Sequence, residues 1–228
     1  MPRAGEARIS YNSSALNGQS ASRYRMLFQT VGIFESVFKM RDTLDCYYST
    51  DNILLFSTKH INEGGYYLID DLTFSYTGQQ TSVHSHRYTP TETKVDTNLT
   101  VTSGHVFDML GATFFLRTLD TRNLKPGDNF PCTVAIGRDL VQVIFRYQNQ
   151  AIIERNQAKY RTHYFIIDIH DDAFSQSKAS AEIWVGDDEN NIPIKIRTKL
   201  KVGYAEVYYK NSSNLKKPLD CRVELKKQ

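Results

Sequence analysis

Cysteine is scarce in this sequence. Cys46, Cys132 and Cys221 stand far apart, which excludes the Cys-x-x-Cys spacing of zinc and thiol redox sites. They allow one disulfide plus a buried thiol in an oxidising compartment, or three buried thiols in a reducing one. Long apolar runs are missing as well, so no segment reaches the roughly 18 residues a transmembrane helix needs. The opening MPRAGEARIS is polar and runs straight into a strand-like segment, which excludes a signal peptide within this chain. Charge of one sign does not dominate: 28 Lys and Arg face 25 Asp and Glu, a net +3. That balance, with no basic stripe interleaved with aromatics, gives no reason to expect a nucleic-acid partner. Also absent are GxSxG, HExxH and the phosphate-binding P-loop, so the sequence nominates no catalytic residue, no metal ligand set and no cofactor.

What is present favours strands. Tyr and Phe number 14 and 12 against one Trp, with 40% hydrophobic residues overall, enough for a core and rich in side chains suited to a pleated surface. The clearest pattern runs from Ala179 to Tyr209. Ala181, Ile183 and Val185 alternate with Glu182 and Trp184. GDDENN (Gly186 to Asn191) then supplies turn chemistry, and Ile194, Ile196, Thr198, Leu200 and Val202 alternate with Lys195, Arg197, Lys199 and Lys201. Pro193, having no N–H to give, suits the first residue of the returning strand. After Gly203 the apolar positions switch from even to odd, at Ala205, Val207 and Tyr209, which predicts a bulge or sharp bend there.

Taken in order, Ala7 to Tyr11 reads as a short strand, Asn12 to Ser22 as a polar loop and Arg23 to Gln29 as strand again. Val31, Phe34, Val37 and Phe38 are spaced for two to three turns of amphipathic helix within Thr30 to Met40, with Ile33 and its β-branched neighbours leaving strand as the alternative. Asp45 to Thr77 breaks at Ser49–Asn52 and Asn62–Gly65, a meander of three strands, and Gly78 to Leu99 is a polar, exposed hairpin. Ser103 is placed to cap the principal helix, from about 103 to 119, with Val106, Leu110, Thr113, Phe114 and Arg117 on one stripe and Asp108 in the first turn. Gly111 within it implies that something packs closely. Strands follow at Asn129–Ile136, Leu140–Tyr147, Ala151–Asn156, Arg161–Ile169 and Asp220–Leu225, with a turn at Gln148–Gln150. No linker or repeat divides the chain. The expectation is a mainly β single domain over 1–228: a curved antiparallel sheet or open, partial β-barrel with one principal helix.

Two stretches, GHVFDMLGATFFLRTLDTRNLKPGD and AEIWVGDDENNIPIKIRTKLKVGYAEVYY, carry a family resemblance. The chain resembles domain-of-unknown-function family 3108 of exported proteins of Gram-negative bacteria, with matches at Asp108, Leu116, Arg117, Gly127, Trp184, Asp187, Asp188, Pro193 and Gly203. Ala4–Ala7 and the Arg41-Asp42 pair look similar too. Gly186 stands where the motif usually has Ser, and Asn191 where it often has Arg. The resemblance implies a curved antiparallel β fold and a periplasmic or cell-envelope location, with no established activity. It also implies an export signal and a strand ahead of the Ala-Gly-Glu segment, missing from this chain.

Trp184 lies opposite in parity to Ile183 and Val185, so it is either a binding platform or an ordinary packed aromatic. Asp187, Asp188 and Glu189 offer oxygen ligands, or simply cap backbone N–H groups in a solvated turn. His84 and His86 share a strand face, in metal-compatible geometry or as exposed histidines, and Asp168 to Asp172 mixes His with carboxylates at a strand end. The lysine and arginine row is a solvated face or a surface for an anionic partner. With the location that the resemblance implies, these features lead to the expectation of a non-enzymatic envelope protein acting by binding or protein interaction, with Trp184, Asp187 and Asp188 as the candidate ligand-binding face and an unknown envelope protein as partner. The rival reading is a carrier of a small, lipid-like apolar ligand in the concave sheet face. A third is a metal-dependent hydrolase using His84 and His86.

Overall fold

The structure is a computed structural model that describes residues 4–102, 104–155, 157–170, 181–199 and 203–223. The mainly β expectation is met: among the described residues fifteen strands form two open sheets, accompanied by two helices. The backbone divides into two compact units, 1–112 with 133–140 and 113–132 with 141–228, the boundary passing through one helix and two strands.

The first unit is organised by a seven-stranded antiparallel meander: β1 (Gly5–Leu16), β2 (Gln19–Thr30), β3 (Arg41–Tyr48), β4 (Leu54–Glu63), β5 (Tyr66–Thr77), β6 (Gln80–Tyr88) and β7 (Thr93–Val101), in sequence order. The loop expected over Asn12–Ser22 is instead the tip of a long hairpin. Register pairs Leu16 with Gln19 across Asn17 (φ 51°) and Gly18 (φ 80°), the Asn-Gly turn whose twist suits a hairpin. The helix expected over Thr30–Met40 shrinks to α1 (Ile33–Val37), which buries none of its residues; β2 keeps pairing as far as Thr30 and takes up the preceding segment. The same unit contains β8 (Val106–Phe107), which pairs in parallel with β9 (Asn129–Ile136) at Val106–Thr133 and Phe107–Val134.

The principal helix is α2 (Met109–Arg117), shorter at both ends than expected. Asp108 precedes it as N-cap, its Oδ1 accepting from the Gly111 N–H at 2.8 Å; Ser103 lies outside the described residues. The close packing expected at Gly111 is present. A Cβ there would sit 2.8 Å from Asp108 Oδ1 and 2.9 Å from the Tyr48 hydroxyl.

The second sheet has the order β14-β13-β12-β11-β10-β9-β8, from β10 (Asp139–Arg155), β11 (Ala158–His170), β12 (Ala181–Gly186), β13 (Pro193–Lys199) and β14 (Tyr204–Tyr208), with β15 (Arg222–Val223) pairing β11. Gln148–Gln150 is not a turn. The pairing shifts by one residue between Tyr147 and Asn149, a bulge that breaks alternation while the strand continues, and the hairpin closes beyond Arg155. The segment from Ile194 to Tyr209 is likewise two strands rather than one. Lys199 pairs with Tyr204 and Ile196 with Val207, so partners on one face have opposite parity, which produces the even-to-odd switch without a bulge. Gly203, at φ 76°, sits at a bend just before β14, so of the expected bulge or sharp bend the structure shows the bend. The core of this unit gathers Ala158, Tyr160, Ile194 and Cys221, with Ile153, Tyr209 and Leu219 against them. The three cysteines are free and buried.

Candidate functional site

The GDDENN turn joins β12 to β13 and works as a connector within the second unit. Asp188 Oδ1 accepts from the Asn190 N–H at 2.9 Å and its Oδ2 from the Cys221 N–H at 3.0 Å. Asn190 Nδ2 donates to the Pro218 carbonyl at 2.7 Å. Asn191, in left-handed backbone at φ 47°, sends Nδ2 to the carbonyls of Arg117 (3.0 Å) and Leu119 (3.3 Å), satisfying acceptors that the end of α2 would leave open. Asp187 Oδ1 lies 3.0 Å from Nε2 of His163, a ring that is 3% exposed. The Arg161 guanidinium is 3.7 Å from Asp187 Oδ2.

Trp184 points to the face opposite Ile183 and is covered. Tyr164 stacks on it with centroids 4.7 Å apart and planes 6° from parallel, while Lys195 Nζ (5.0 Å) and the Arg197 guanidinium (5.7 Å) lie over the indole. Only 8% of the residue is exposed, so its face is not an open platform. The row of cations is engaged as well as solvated: Lys195 pairs with Glu206 at 2.7 Å, and Arg197 pairs with Glu182, which also accepts from the Tyr164 hydroxyl at 2.6 Å. The Arg197 bond holds the Glu182 carboxyl below its usual range, and the Glu182 contact together with burial pushes the Tyr164 hydroxyl up to about 12, burial being the larger cause. Lys201 falls outside the described residues, as do Asp171 and Asp172 of the His-carboxylate stretch; Asp168 is bonded to Arg146 at 2.9 Å.

In the first unit a second polar group sits on the buried sheet face. Cys46 Sγ donates to both Asp108 oxygens, at 3.1 and 3.2 Å. Burial raises the Asp108 carboxyl above its ordinary range against the pull of the Cys46 and backbone donors, and burial followed by the Asp108 charge raises the Cys46 thiol well above its own. The raised Cys46 thiol is protonated at neutral pH and is therefore not an activated nucleophile. Alongside, Asp70 pairs with Arg87, and Ser57, Lys59, Asp70 and Asp108 line a recess of about 20 Å³, room for about one water. His84 and His86 do share a face of β6, as their spacing predicts, and have separate partners: His84 Nε2 is 2.8 Å from Asp96 Oδ1, His86 Nε2 is 3.4 Å from Thr93 Oγ1. Among the described residues no three His, Cys, Asp or Glu side chains come together as metal ligands.

The family described as "Protein of unknown function (DUF3108)" matches residues 1–210. The chain belongs to that family. No curated protein matches it. Among solved structures it is similar to a beta-barrel-like protein of domain of unknown function DUF1849 from Brucella abortus, at 10% identity, 91% coverage of this chain, 90% of that one and a TM-score of 0.51. At that identity the likeness is one of fold.

In this DUF3108 chain the residues that carried the resemblance are largely architectural. Asp108 caps α2, Leu116 is buried on it, and Arg117 Nε donates to the Asn190 carbonyl at 3.2 Å. The Gly127 N–H donates to the Tyr147 carbonyl at 2.9 Å, and Pro193 opens β13. The glycine at 186 has a local cause: a Cβ there would meet Cys221 Sγ at 2.8 Å, so a serine needs that thiol elsewhere. Sequence reasoning missed the connection from β2 to β3. Its apolar spacing signalled a helix with a buried stripe, whereas Ile33 (74% exposed), Phe34 (37%), Val37 (80%) and Phe38 (48%) face solvent. Their position between two strand ends was the available signal.

Proposed function

We propose that this protein is a non-enzymatic component of the bacterial envelope that works by binding a partner, with the apolar connection around α1 as its contact surface. The observation that carries the reading is the set Ile33, Phe34, Val37 and Phe38, all exposed on one short connection. Scattered apolar side chains need no explanation, but a group this dense marks an interaction surface. Trp184, Asp187 and Asp188 serve this reading less well, since the indole is covered and both carboxylates hold the β12–β13 turn in place. The envelope location rests on the likeness to exported family members. A lipid-like cargo would need an apolar cavity of several hundred Å³, and the recess in the first unit holds about 20 Å³.

Two measurements test this. Fractionation of cells making the native gene product should place it with the envelope, and recovery in the cytosol refutes the location. A photoreactive phenylalanine derivative in place of Val37 should form adducts in those cells, whereas the same group in place of Asp51, in the β3–β4 turn, should not. No adducts at 37, or equal adducts at both positions, refutes the contact surface.

A further inference from the structure

The surface around α1 has a chemistry that selects among partners. β2 ends at Thr30 and β3 begins at Arg41; between them the connection exposes four apolar side chains, three on α1, which buries none of its residues, and Phe38 just after it. The connection is fastened to the neighbouring β4–β5 turn. The Gly64 N–H donates to the Lys39 carbonyl at 2.8 Å, Met40 bridges to Glu63, and a Cβ on Gly64 would meet the Phe38 ring at 3.3 Å. That turn adds Tyr66, itself half exposed. The apolar group is thus held on a framework of hydrogen bonds rather than hanging from a free loop.

Glu35 pairs with Arg41, and across the sheet end Glu92 pairs with Lys94. Lys39 is exposed beside the apolar group, and Glu63, bridged to Met40, is a half-buried carboxylate whose burial and Asp42 neighbour push its pKa up. From the fractional exposures, with side chains of about 150–200 Å², the four residues present on the order of 400 Å² of surface. A stable protein pair buries about 800 Å² on each partner and requires a matching hollow. A bilayer interface requires no hollow. It takes aliphatic and aromatic side chains to the depth of the headgroups, and binding scales with the apolar area inserted.

We infer that the α1 connection inserts into the surface of a lipid bilayer, Ile33, Phe34, Val37 and Phe38 entering the interface and Lys39 meeting the headgroup phosphates. This rests on the interaction reading above and names its partner. With a single exposed cation, Lys39, on the connection, binding persists on zwitterionic lipid and strengthens modestly on anionic lipid.

The test is co-sedimentation of the full chain with vesicles of phosphatidylcholine alone and of phosphatidylcholine mixed equally with phosphatidylglycerol. Wild type should pellet with both. The triple variant Ile33→Ser, Phe34→Ser, Val37→Ser should partition at least tenfold more weakly, while Ile53→Ser, at an exposed apolar position in the β3–β4 connection, should behave as wild type. Because the altered side chains are exposed, circular dichroism and the thermal midpoint should not change. As a second readout, Val37→Trp should shift its emission to the blue on vesicles, measured against the same protein carrying only Trp184. Failure of wild type to pellet, an undiminished triple variant, or unmoved Val37→Trp emission overturns the inference. So does a wild-type dimer in sedimentation velocity that the triple variant abolishes, which would make the occupant a second copy and leave the interaction reading standing.

Discussion

Gly111→Ala is the substitution for which local propensity and tertiary packing give opposite signs. Within a helix, Ala is favoured over Gly by about 1 kcal/mol, so α2 taken alone predicts stabilisation. In the folded protein the new Cβ meets Asp108 Oδ1 at 2.8 Å, the Tyr48 hydroxyl at 2.9 Å and Phe107 Cβ at 3.2 Å. Neither polar atom is free to swing away. Asp108 accepts from Cys46, Leu110 and Gly111, and Tyr48 is a rigid ring buried in β3. Overpacking of this kind costs about 1–3 kcal/mol, and displacing the N-cap adds about 1 kcal/mol. After the propensity gain, the net loss is about 1–3 kcal/mol, a fall of roughly 2–12 °C in midpoint for a chain of this size. Thermal and urea unfolding followed by circular dichroism measures it. In a Tyr48→Phe background the oxygen at 2.9 Å is gone, so Gly111→Ala should lose about 0.5 kcal/mol less. A higher midpoint for Gly111→Ala, or an equal loss in both backgrounds, would refute the reasoning.

Other perturbations probe the remaining contacts. Asp108 has a folded-state pKa above its unfolded one, so its stabilising contribution is complete below the unfolded value and is lost as pH rises through the folded value; Asp108→Asn should therefore gain on wild type in urea unfolding between pH 3 and pH 7, and a constant difference would contradict this. Asn191→Ala loses two bonds to the end of α2 and places Ala at φ 47°, an expected destabilisation of about 2–3 kcal/mol, with Asn191→Gly about 1 kcal/mol milder. Arg197→Ala uncovers the single tryptophan, so emission should move to the red and acrylamide quenching should rise, and an unchanged spectrum would show that Arg197 does not shield Trp184.

The mainly β class was legible because alternation is a local property: a strand with one buried face writes its period directly into residues such as Leu68, Asp70, Leu72 and Phe74 of β5. The same signal failed where two structures share one pattern. Alternation broken at Gln148 looks like a turn but is a bulge, and the parity switch after Val202 looks like a bulge but follows from antiparallel pairing. Asn17-Gly18 was a readable hairpin signal, masked by polar neighbours that a two-stranded tip leaves exposed.

For the candidate sites the division is sharper. Residue type and short-range spacing were enough for the β-rich class, the turn chemistry of GDDENN and the family membership that the spaced residues signal. Folding brings Tyr164, Lys195 and Arg197 over Trp184, ties the turn through Asp188 to the Cys221 backbone and leaves Ile33, Phe34, Val37 and Phe38 in solvent. Exposure and partnership belong to chain segments far apart in sequence: an apolar stripe is core only if some other element comes to cover it, and none covers α1 among the described residues.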